Sequence, residues 1–296
     1  MSSSWTSRGA LPPADNVAIV VSQSQEAGPR AALLQDKRVL VTGVLTPKSI
    51  AFAIARAAQA AGAQVVLTSF GRAASLTRRS AQRLQPSPDV LEMDVTNPEQ
   101  VHAAAERVRE RLGGVDGVVH AVGFAPEDCL GGGFLRAPWS SVSPAFEVSS
   151  YSLRTLAAEF MPLMPETGGA LVTLTFDAEV AWPLYDWMGP AKAALESIVR
   201  YLARALGPRH VRVNALAAGP LETVAARSIP GFASLRDLWG AQAPLGWDSA
   251  DATPVADACV FLLSDLARGV TGEVLHVDGG YHSQGAPLLA GVDGGT

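Results

Sequence analysis

Seven short apolar runs alternate along the chain with longer segments whose apolar residues recur at helical spacing. The runs are apolar at successive rather than alternate positions, which is typical of strands buried on both faces of a parallel sheet. They lie at 38–42, 64–68, 90–93, 117–121, 171–175, 211–216 and 273–277. The intervening segments predict helices at 49–61, 98–112, 140–160, 191–205 and 255–263.

This alternation predicts one Rossmann-type α/β domain over residues 35–284, with a doubly wound, mostly parallel sheet of seven strands flanked by helices. Residues 1–34 are interpreted as a flexible leader, although an apolar patch at 17–21 leaves a short edge strand open. Residues 285–296 are interpreted as a C-terminal tail. In such a fold, ligands are expected at the carboxyl ends of the strands.

Composition narrows the class of protein. Hydrophobic residues make up 48% of the 296 residues and the formal net charge is -5, with no cluster of basic residues, so nucleic acid is not expected as a partner. Cys129 and Cys259 lie far apart, which favours a reducing compartment and two ordinary core or near-surface residues. No apolar run of signal-peptide or membrane-span length is present, so we expect a cytoplasmic protein without membrane insertion.

The first strand leads into a turn and a helix, where a Rossmann-type fold binds a pyrophosphate. Gly43 is the only glycine in that turn, so the usual glycine-rich fingerprint is absent. Ser49 stands at the predicted helix start, either as a capping residue or as a phosphate contact. Phe70 follows the second strand, and nearby Arg72 is either a solvated residue or a ligand for a 2′-phosphate, so the sequence leaves NADH and NADPH both open.

Two further stretches carry candidate chemistry. Gly123 follows the fourth strand, where the lack of a side chain lets the backbone approach a ligand. Tyr185 and Lys192 are seven residues apart, and a helix beginning near Asp186 as N-cap would place both on one face, roughly 10 Å apart along its axis. Such a pair suits hydride transfer to a substrate whose oxygen gains negative charge, although taken alone it is more often an ordinary surface pair.

Together these stretches resemble the short-chain dehydrogenase/reductase superfamily, and within it the NADH-dependent enoyl-acyl-carrier-protein reductases of the FabI/InhA type. The resemblance covers roughly residues 34–284. It rests on Gly43 with the SIA motif at 49–51, HAVGFAP at 120–126, the Tyr185 and Lys192 pair, VNALAAGP at 213–220 and TGEVLHVDGG at 271–280.

The resemblance implies that Tyr185 hydrogen-bonds the thioester carbonyl and that Lys192 binds the nicotinamide ribose. Phe176 would act sterically beside them, and Phe124, Met188 and Trp187 would line the substrate pocket. The residues implied to contact the dinucleotide are Gly43, Ser49, Ile50, Phe70, Asp94, Val95, Ala121, Val122, Gly123, Lys192, Leu221 and Thr223. The implied reaction is hydride delivery from NADH to the β-carbon of a trans-2-enoyl thioester on acyl carrier protein, within a homotetramer.

Some positions depart from the family pattern. Ala121 stands where many relatives have serine, and Thr175 where mycobacterial relatives have aspartate. The segment 223–244, expected to cover the substrate, is shorter than in very-long-chain members, which suggests shorter acyl chains.

Four alternatives compete with this hypothesis. A ketone reductase of the superfamily needs lysine four residues after the tyrosine, where Gly189 stands. A non-catalytic dinucleotide-binding protein and an enoyl reductase of a specialised pathway both stay open. The five histidines show no ligand spacing, which disfavours a metal enzyme.

Overall fold

The computed structural model describes residues 32–285, so the predicted apolar patch at 17–21 and the C-terminal tail from 286 onward lie outside the described residues. Seven strands form one sheet in the order β3-β2-β1-β4-β5-β6-β7, and every neighbouring pair is parallel. The strands are β1 (Arg38–Val41), β2 (Gln64–Ser69), β3 (Val90–Glu92), β4 (Gly117–His120), β5 (Gly169–Thr175), β6 (Val211–Ala218) and β7 (Val274–Val277). The predicted fold class is confirmed.

Eight α-helices are present in the described part of the chain. They are α1 (Ile50–Ala60), α2 (Ala73–Ala81), α3 (Pro98–Leu112), α4 (Trp139–Phe146), α5 (Ser152–Phe160), α6 (Met188–Leu206), α7 (Phe232–Gln242) and α8 (Thr253–Leu263). Between residues 32 and 285, no helix is long and apolar enough to cross a membrane.

Helices cover both faces of the sheet, and successive strand residues enter different cores. Val39 and Val41 of β1 pack with α1 and α8, whereas Leu40 packs with α3, α5 and α6 on the opposite face. This two-sided burial is the reason that the strands read as continuous apolar runs. The strand order reverses between β1 and β4, so the carboxyl ends of these two strands border the crevice where doubly wound folds bind ligands.

Three predictions about helices need correction. The predicted helix over 140–160 is interrupted by a π-helical turn, Glu147–Tyr151, between α4 and α5. The helix carrying Lys192 begins at Met188, so Asp186 is not its N-cap. Helix α2 has no counterpart among the predicted helices because its buried face is built from small and polar residues, which produce no apolar periodicity.

The amino-terminal edge of the domain lies slightly earlier than residue 35. Leu34, placed in the predicted leader, is fully buried, and its N–H donates to the carbonyl of Ala61 at 2.9 Å. The folded unit therefore includes Leu34. Cys129 and Cys259 are both buried free thiols, as the sequence predicts.

Candidate active site

A cavity of about 1100 Å³ opens at the carboxyl ends of the strands, where the strand order reverses. The side chains and backbone around it come from the ends of six strands and from the loops that follow them. With the exception of Trp187, the residues of the predicted catalytic, dinucleotide and substrate sets all line this one cavity: Gly43, Ser49, Ile50, Phe70, Asp94, Val95, Ala121, Val122, Gly123, Phe124, Phe176, Tyr185, Met188, Lys192, Leu221 and Thr223.

The turn after β1 lies in direct contact with the end of β4. Gly43 has φ of 80°, and a Cβ built there would lie 2.0 Å from the carbonyl oxygen of Ala121. The Thr42 hydroxyl donates to the carbonyl of Val119 at 3.0 Å and accepts from the N–H of Ala121 at 2.9 Å. Glycine at position 43 is therefore required for the turn after β1 to pack against the end of β4, and both segments border the cavity.

The N-terminus of α1 faces the cavity through Ser49 and Ile50. Ser49 occupies the N-cap position, but its hydroxyl donates to the carbonyl of Thr46 at 2.7 Å and caps no helix N–H, so the expectation of a side-chain cap is wrong. The first N–H groups of a helix have no intrahelical acceptor and carry the positive end of its dipole. This end of α1 is therefore suited to an anionic pyrophosphate.

The outer part of the cavity is suited to an adenosine group. Phe70 is 47% exposed and presents a flat apolar surface at the end of β2. Asp94 follows β3, and its Oδ1 accepts from the N–H and the hydroxyl of Thr96 at 2.9 and 2.8 Å, which orients the carboxylate at the cavity edge. Arg72 is exposed at the start of α2 and does not line the cavity.

Tyr185 lies in a tight turn before α6, not on the helix itself. Its neighbours Leu184 and Asp186 have positive φ, 63° and 39°, and the Asp186 carboxylate accepts from the N–H groups of Gly132 and Gly133 at 2.6 and 2.8 Å. The Tyr185 ring packs edge-on against Phe176, with centroids 5.2 Å apart. These contacts hold the phenol in the cavity wall without the helical register that the sequence predicts.

Lys192 projects from α6 toward the same part of the cavity. It is buried, and its Nζ donates to the carbonyl of Leu174 at 2.9 Å. A Cβ built on Gly123 would lie 3.9 Å from this Nζ and 4.0 Å from the Cε of Met188. The backbone after β4, the ammonium and the Met188 side chain therefore converge on one point.

Burial shifts the pKa of both groups. It lowers the pKa of Lys192 to about 8, against the opposing effect of the Glu196 carboxylate. It also raises the pKa of the Tyr185 phenol above its ordinary value, and Glu196 adds to this increase. At neutral pH the phenol is consequently a hydrogen-bond donor, and Lys192 is mostly an ammonium.

The comparisons with known proteins agree with this geometry. A family model described as "Enoyl-(Acyl carrier protein) reductase" matches residues 43–282. The chain belongs to this family. It is 43% identical over 266 residues to the enoyl-[acyl-carrier-protein] reductase [NADH] of Mycolicibacterium smegmatis, an alignment that covers 85% of this chain and 98% of that protein.

A solved structure gives the same result at the level of the fold. The Bacillus cereus enoyl-acyl carrier protein reductase, crystallised with NADP+ and indole naphthyridinone, superposes with a TM-score of 0.82. It is 40% identical, and the match covers 86% of this chain and 99% of that one. The predicted membership of the enoyl reductase family, and with it the predicted enzyme class, is confirmed.

The sequence of this enoyl reductase family member does not reveal two further residues of the site: Ser149, which is buried behind the cavity wall, and Trp182, which lines the cavity. The Ser149 hydroxyl lies in the π-helical turn and accepts from the N–H of Phe124 at 2.9 Å, which holds the loop after β4. Trp182 lines the cavity beside Phe176, with ring centroids 5.0 Å apart. Trp182 could have been suspected from the sequence because it stands three residues before Tyr185. Ser149 could not, because a serine inside a predicted helix gives no sign of a role in a site.

Trp187 does not line the cavity, so its predicted place in the substrate pocket is wrong. Its ring stacks on Phe134 at 4.7 Å, and its Nε1 donates to the carbonyl of the same residue at 2.9 Å. The turn that begins α6 directs Tyr185 and Met188 inward and Trp187 outward.

Within residues 32–285, no group of three or more His, Cys, Asp or Glu side chains is arranged to hold a metal ion.

Gly43→Ala is expected to weaken NADH binding because the new Cβ collides with the Ala121 carbonyl in a backbone conformation that alanine rarely adopts. Strain of this kind costs about 1–3 kcal/mol, so we expect the Kd for NADH to rise on the order of tenfold. Fluorescence titration with NADH measures the effect. Gly207→Ala is the matched control, since φ there is -53° and nothing lies within 4 Å of the added Cβ. Equal affinities for the two variants would contradict this role of Gly43.

Proposed function

We propose that the protein reduces the trans-2 double bond of an enoyl thioester, carried on acyl carrier protein or coenzyme A, to the saturated acyl thioester in fatty acid biosynthesis. The observation that carries this proposal is the convergence of Tyr185, Lys192 and Gly123 at the inner end of one cavity whose outer end is suited to a dinucleotide. The cavity is large enough to hold both the cofactor and an acyl group.

The cofactor is a nicotinamide dinucleotide, for which NADH is our first choice. The Mycolicibacterium smegmatis relative is named for NADH, whereas a Staphylococcus aureus relative, 37% identical over 255 residues, is named for NADPH. Gly43 and the N-terminus of α1 would hold the pyrophosphate, Asp94 and Phe70 the adenosine, and Lys192 the nicotinamide ribose. When bound, the reduced nicotinamide supplies the hydride that the β-carbon of the substrate accepts.

Tyr185 would act on the substrate oxygen. As the β-carbon is reduced, negative charge develops on the thioester oxygen, giving an enolate that a hydrogen bond from the phenol stabilises. Because the pKa of the Tyr185 phenol is raised, the phenol keeps its proton at neutral pH and remains a donor. A donor that binds the enolate more tightly than the ground-state carbonyl lowers the barrier, and protonation of the α-carbon completes the product.

Lys192 would hold the ribose and place a positive charge near the developing enolate. Its Nζ has one fixed acceptor, the Leu174 carbonyl, and an ammonium has two further donors for ribose hydroxyls. Phe176 packs against Tyr185 and has no hydroxyl, so it shapes the pocket and donates no proton. Phe124 and Met188 would contact the acyl chain near the thioester.

The remaining expectations concern partners and location. We expect an acyl-carrier-protein-bound substrate, a homotetramer and a cytoplasmic location. Several large apolar side chains are exposed in the isolated chain, among them Trp139 and Tyr201, each 70% exposed, and association of subunits would cover such surfaces. Light scattering after size-exclusion chromatography measures the assembly, and a monomeric mass would contradict the tetramer.

Reduced-nicotinamide absorbance, followed with a series of trans-2-enoyl thioesters and with NADH and NADPH in parallel, tests the proposed reaction. We expect oxidation of the cofactor, and a preference for acyl chains shorter than those of very-long-chain relatives. NADH binding without oxidation at any chain length would contradict the proposal and favour a non-catalytic dinucleotide-binding protein. Oxidation with a ketoacyl thioester instead would indicate the ketone chemistry of the wider superfamily.

A further inference from the structure

Two consecutive residues at the end of β5 hold two charged side chains of α6. The carbonyl of Leu174 accepts from Lys192 Nζ at 2.9 Å, and the hydroxyl of Thr175 donates to Glu196 Oε1 at 2.8 Å. Lys192 and Glu196 are four residues apart on α6, so they lie on the same face of that helix. Both are buried, with relative exposures of 7% and 6%. The two charged side chains therefore share one buried face of α6, with Lys192 lining the cavity and Glu196 behind its wall.

A buried carboxylate is costly to retain unless it acts on a partner, because it has lost its hydration. Glu196 is not among the residues lining the cavity, so its effect on the reaction has to pass through a neighbour. We propose that Glu196 is a positioning residue of the reductase, whose carboxylate, oriented by Thr175, keeps the Lys192 ammonium charged beside the nicotinamide ribose. This inference rests on the proposed function for its catalytic consequence.

The groups around the pair leave Glu196 as the main favourable charge for Lys192. Burial raises the pKa of Glu196, and the hydrogen bond from Thr175 opposes that shift. The surrounding charges partly cancel, since Asp177 raises this pKa whereas Arg200 and His276 lower it. The other titratable groups facing the pair come from β4, the turn before α6, the loop after β5, α6 itself and β7: His120, Tyr185, Asp177, Arg200 and His276.

None of these neighbours supplies a negative charge that stabilises the Lys192 ammonium. Burial, followed by the charge of Lys192, lowers the pKa of His120 to about 3, so this imidazole is neutral when the enzyme works. The Tyr185 phenol is neutral because its pKa is raised. Asp177 is paired with His276, with Oδ1 and Nε2 3.8 Å apart. Glu196 is the charged group that favours the protonated form of Lys192.

Loss of the Glu196 charge is expected to lower the pKa of Lys192. Lys192, with a pKa of about 8, is charged below that pH and loses its charge as the pH rises through it. Removing the negative charge of Glu196 removes a stabilising partner of the ammonium, so the pKa of Lys192 falls. In Glu196→Gln, the ammonium and the contacts that depend on it are therefore lost at a lower pH than in the wild type.

The lysine content of the chain allows a direct measurement. Only three lysines occur in the whole sequence, Lys37, Lys48 and Lys192. In protein labelled with carbon-13 at lysine Cε, the Lys192 resonance is assigned by its absence in Lys192→Met. We expect its titration midpoint to fall by about one pH unit in Glu196→Gln, the size typical of a nearby opposite charge. Lys37 and Lys48 are internal controls, and an unmoved Lys192 midpoint would overturn the inference.

The functional consequence is measured in the full enzyme through the pH dependence of the Kd for NADH and of kcat/KM. Glu196→Gln should move the alkaline limb down by about one pH unit and leave both constants near wild type on the acidic side of it. Glu196→Asp should restore part of the shift. Glu159→Gln is the matched control, since that carboxylate is on the surface of α5 and pairs with His102.

The pH dependence distinguishes a purely structural role of Glu196 from the positioning role. A loss of NADH affinity that is uniform across pH, with an unmoved alkaline limb, would overturn the inference. If Glu196→Gln fails to fold, Thr175→Val serves, because loss of the hydroxyl donor raises the pKa of Glu196 and moves the limb in the same direction. Absence of enoyl reduction in the wild type would refute the proposed function alone, since the lysine titration requires no substrate.

Discussion

Tyr185→Phe is expected to lower kcat by a factor on the order of 10² to 10³ while leaving the Kd for NADH close to that of the wild type. Loss of a donor aimed at a developing oxyanion has this effect in other enzymes. The ring packs against Phe176, and phenylalanine keeps that contact, so the pocket shape is preserved. Only the hydrogen bond that strengthens in the transition state is lost.

Steady-state kinetics with a trans-2-enoyl thioester and fluorescence titration with NADH measure the two quantities separately. Tyr201→Phe is the matched control, because it removes a hydroxyl from a tyrosine that is 70% exposed on α6. Near wild-type turnover of Tyr185→Phe would remove the phenol from the mechanism. A large rise in the Kd for NADH would instead place Tyr185 in cofactor binding.

Lys192→Met is expected to weaken NADH binding itself. Methionine keeps an unbranched side chain of similar length but has no ammonium to bond the ribose hydroxyls or the Leu174 carbonyl. Hydrogen bonds to a charged group contribute about 1.5–3 kcal/mol, so we expect the Kd for NADH to rise by roughly 10- to 150-fold. Turnover should fall as well, because the positive charge near the enolate is lost.

Isothermal titration calorimetry with NADH measures this loss. Lys37→Met is the control, since Lys37 directly precedes β1, at the amino ends of the strands and away from the cavity. Its Nζ lies 3.5 Å from Oδ1 of Asp265. The contrast between the Tyr185 and Lys192 variants is the decisive result. Equal effects of the two substitutions on NADH affinity would contradict the separate roles proposed for them.

Most of the fold could be predicted because burial on both faces makes each parallel strand a continuous apolar run. All seven strands are predicted in this way, with bounds within two residues of those observed; the largest differences are that β5 begins two residues earlier and β6 ends two residues later than predicted. Helix α2 was missed because it buries Ala74, Thr77, Ser80 and Ala81, none of which is a large apolar residue. The π-helical turn between α4 and α5 also has no periodic signal, since it depends on tertiary contacts such as the bonds between Ser149 and Phe124.

The sequence predicted which residues lie around one cavity, but not the local geometry that brings them there. Tyr185 and Lys192 do line the same cavity, but Tyr185 reaches it from a turn held by Asp186 and the backbone of Gly132 and Gly133. A helix running from Tyr185 to Lys192 would also have placed both side chains near one another. The turn forms instead because Asp186 bonds to a loop more than fifty residues away, and no local pattern in the sequence encodes those bonds.

The sequence by itself determined the family, the parallel sheet, and the set of residues at the carboxyl ends of its strands. These follow from local hydrophobic patterns and from short motifs, whose meaning depends little on distant parts of the chain. Only the folded chain shows the surroundings of Lys192: the Leu174 carbonyl that holds it, the burial that lowers its pKa, and the Glu196 carboxylate on the same buried face of α6. Charge states in a protein interior depend on the distance and burial of all neighbouring groups, and those exist only once the chain is folded.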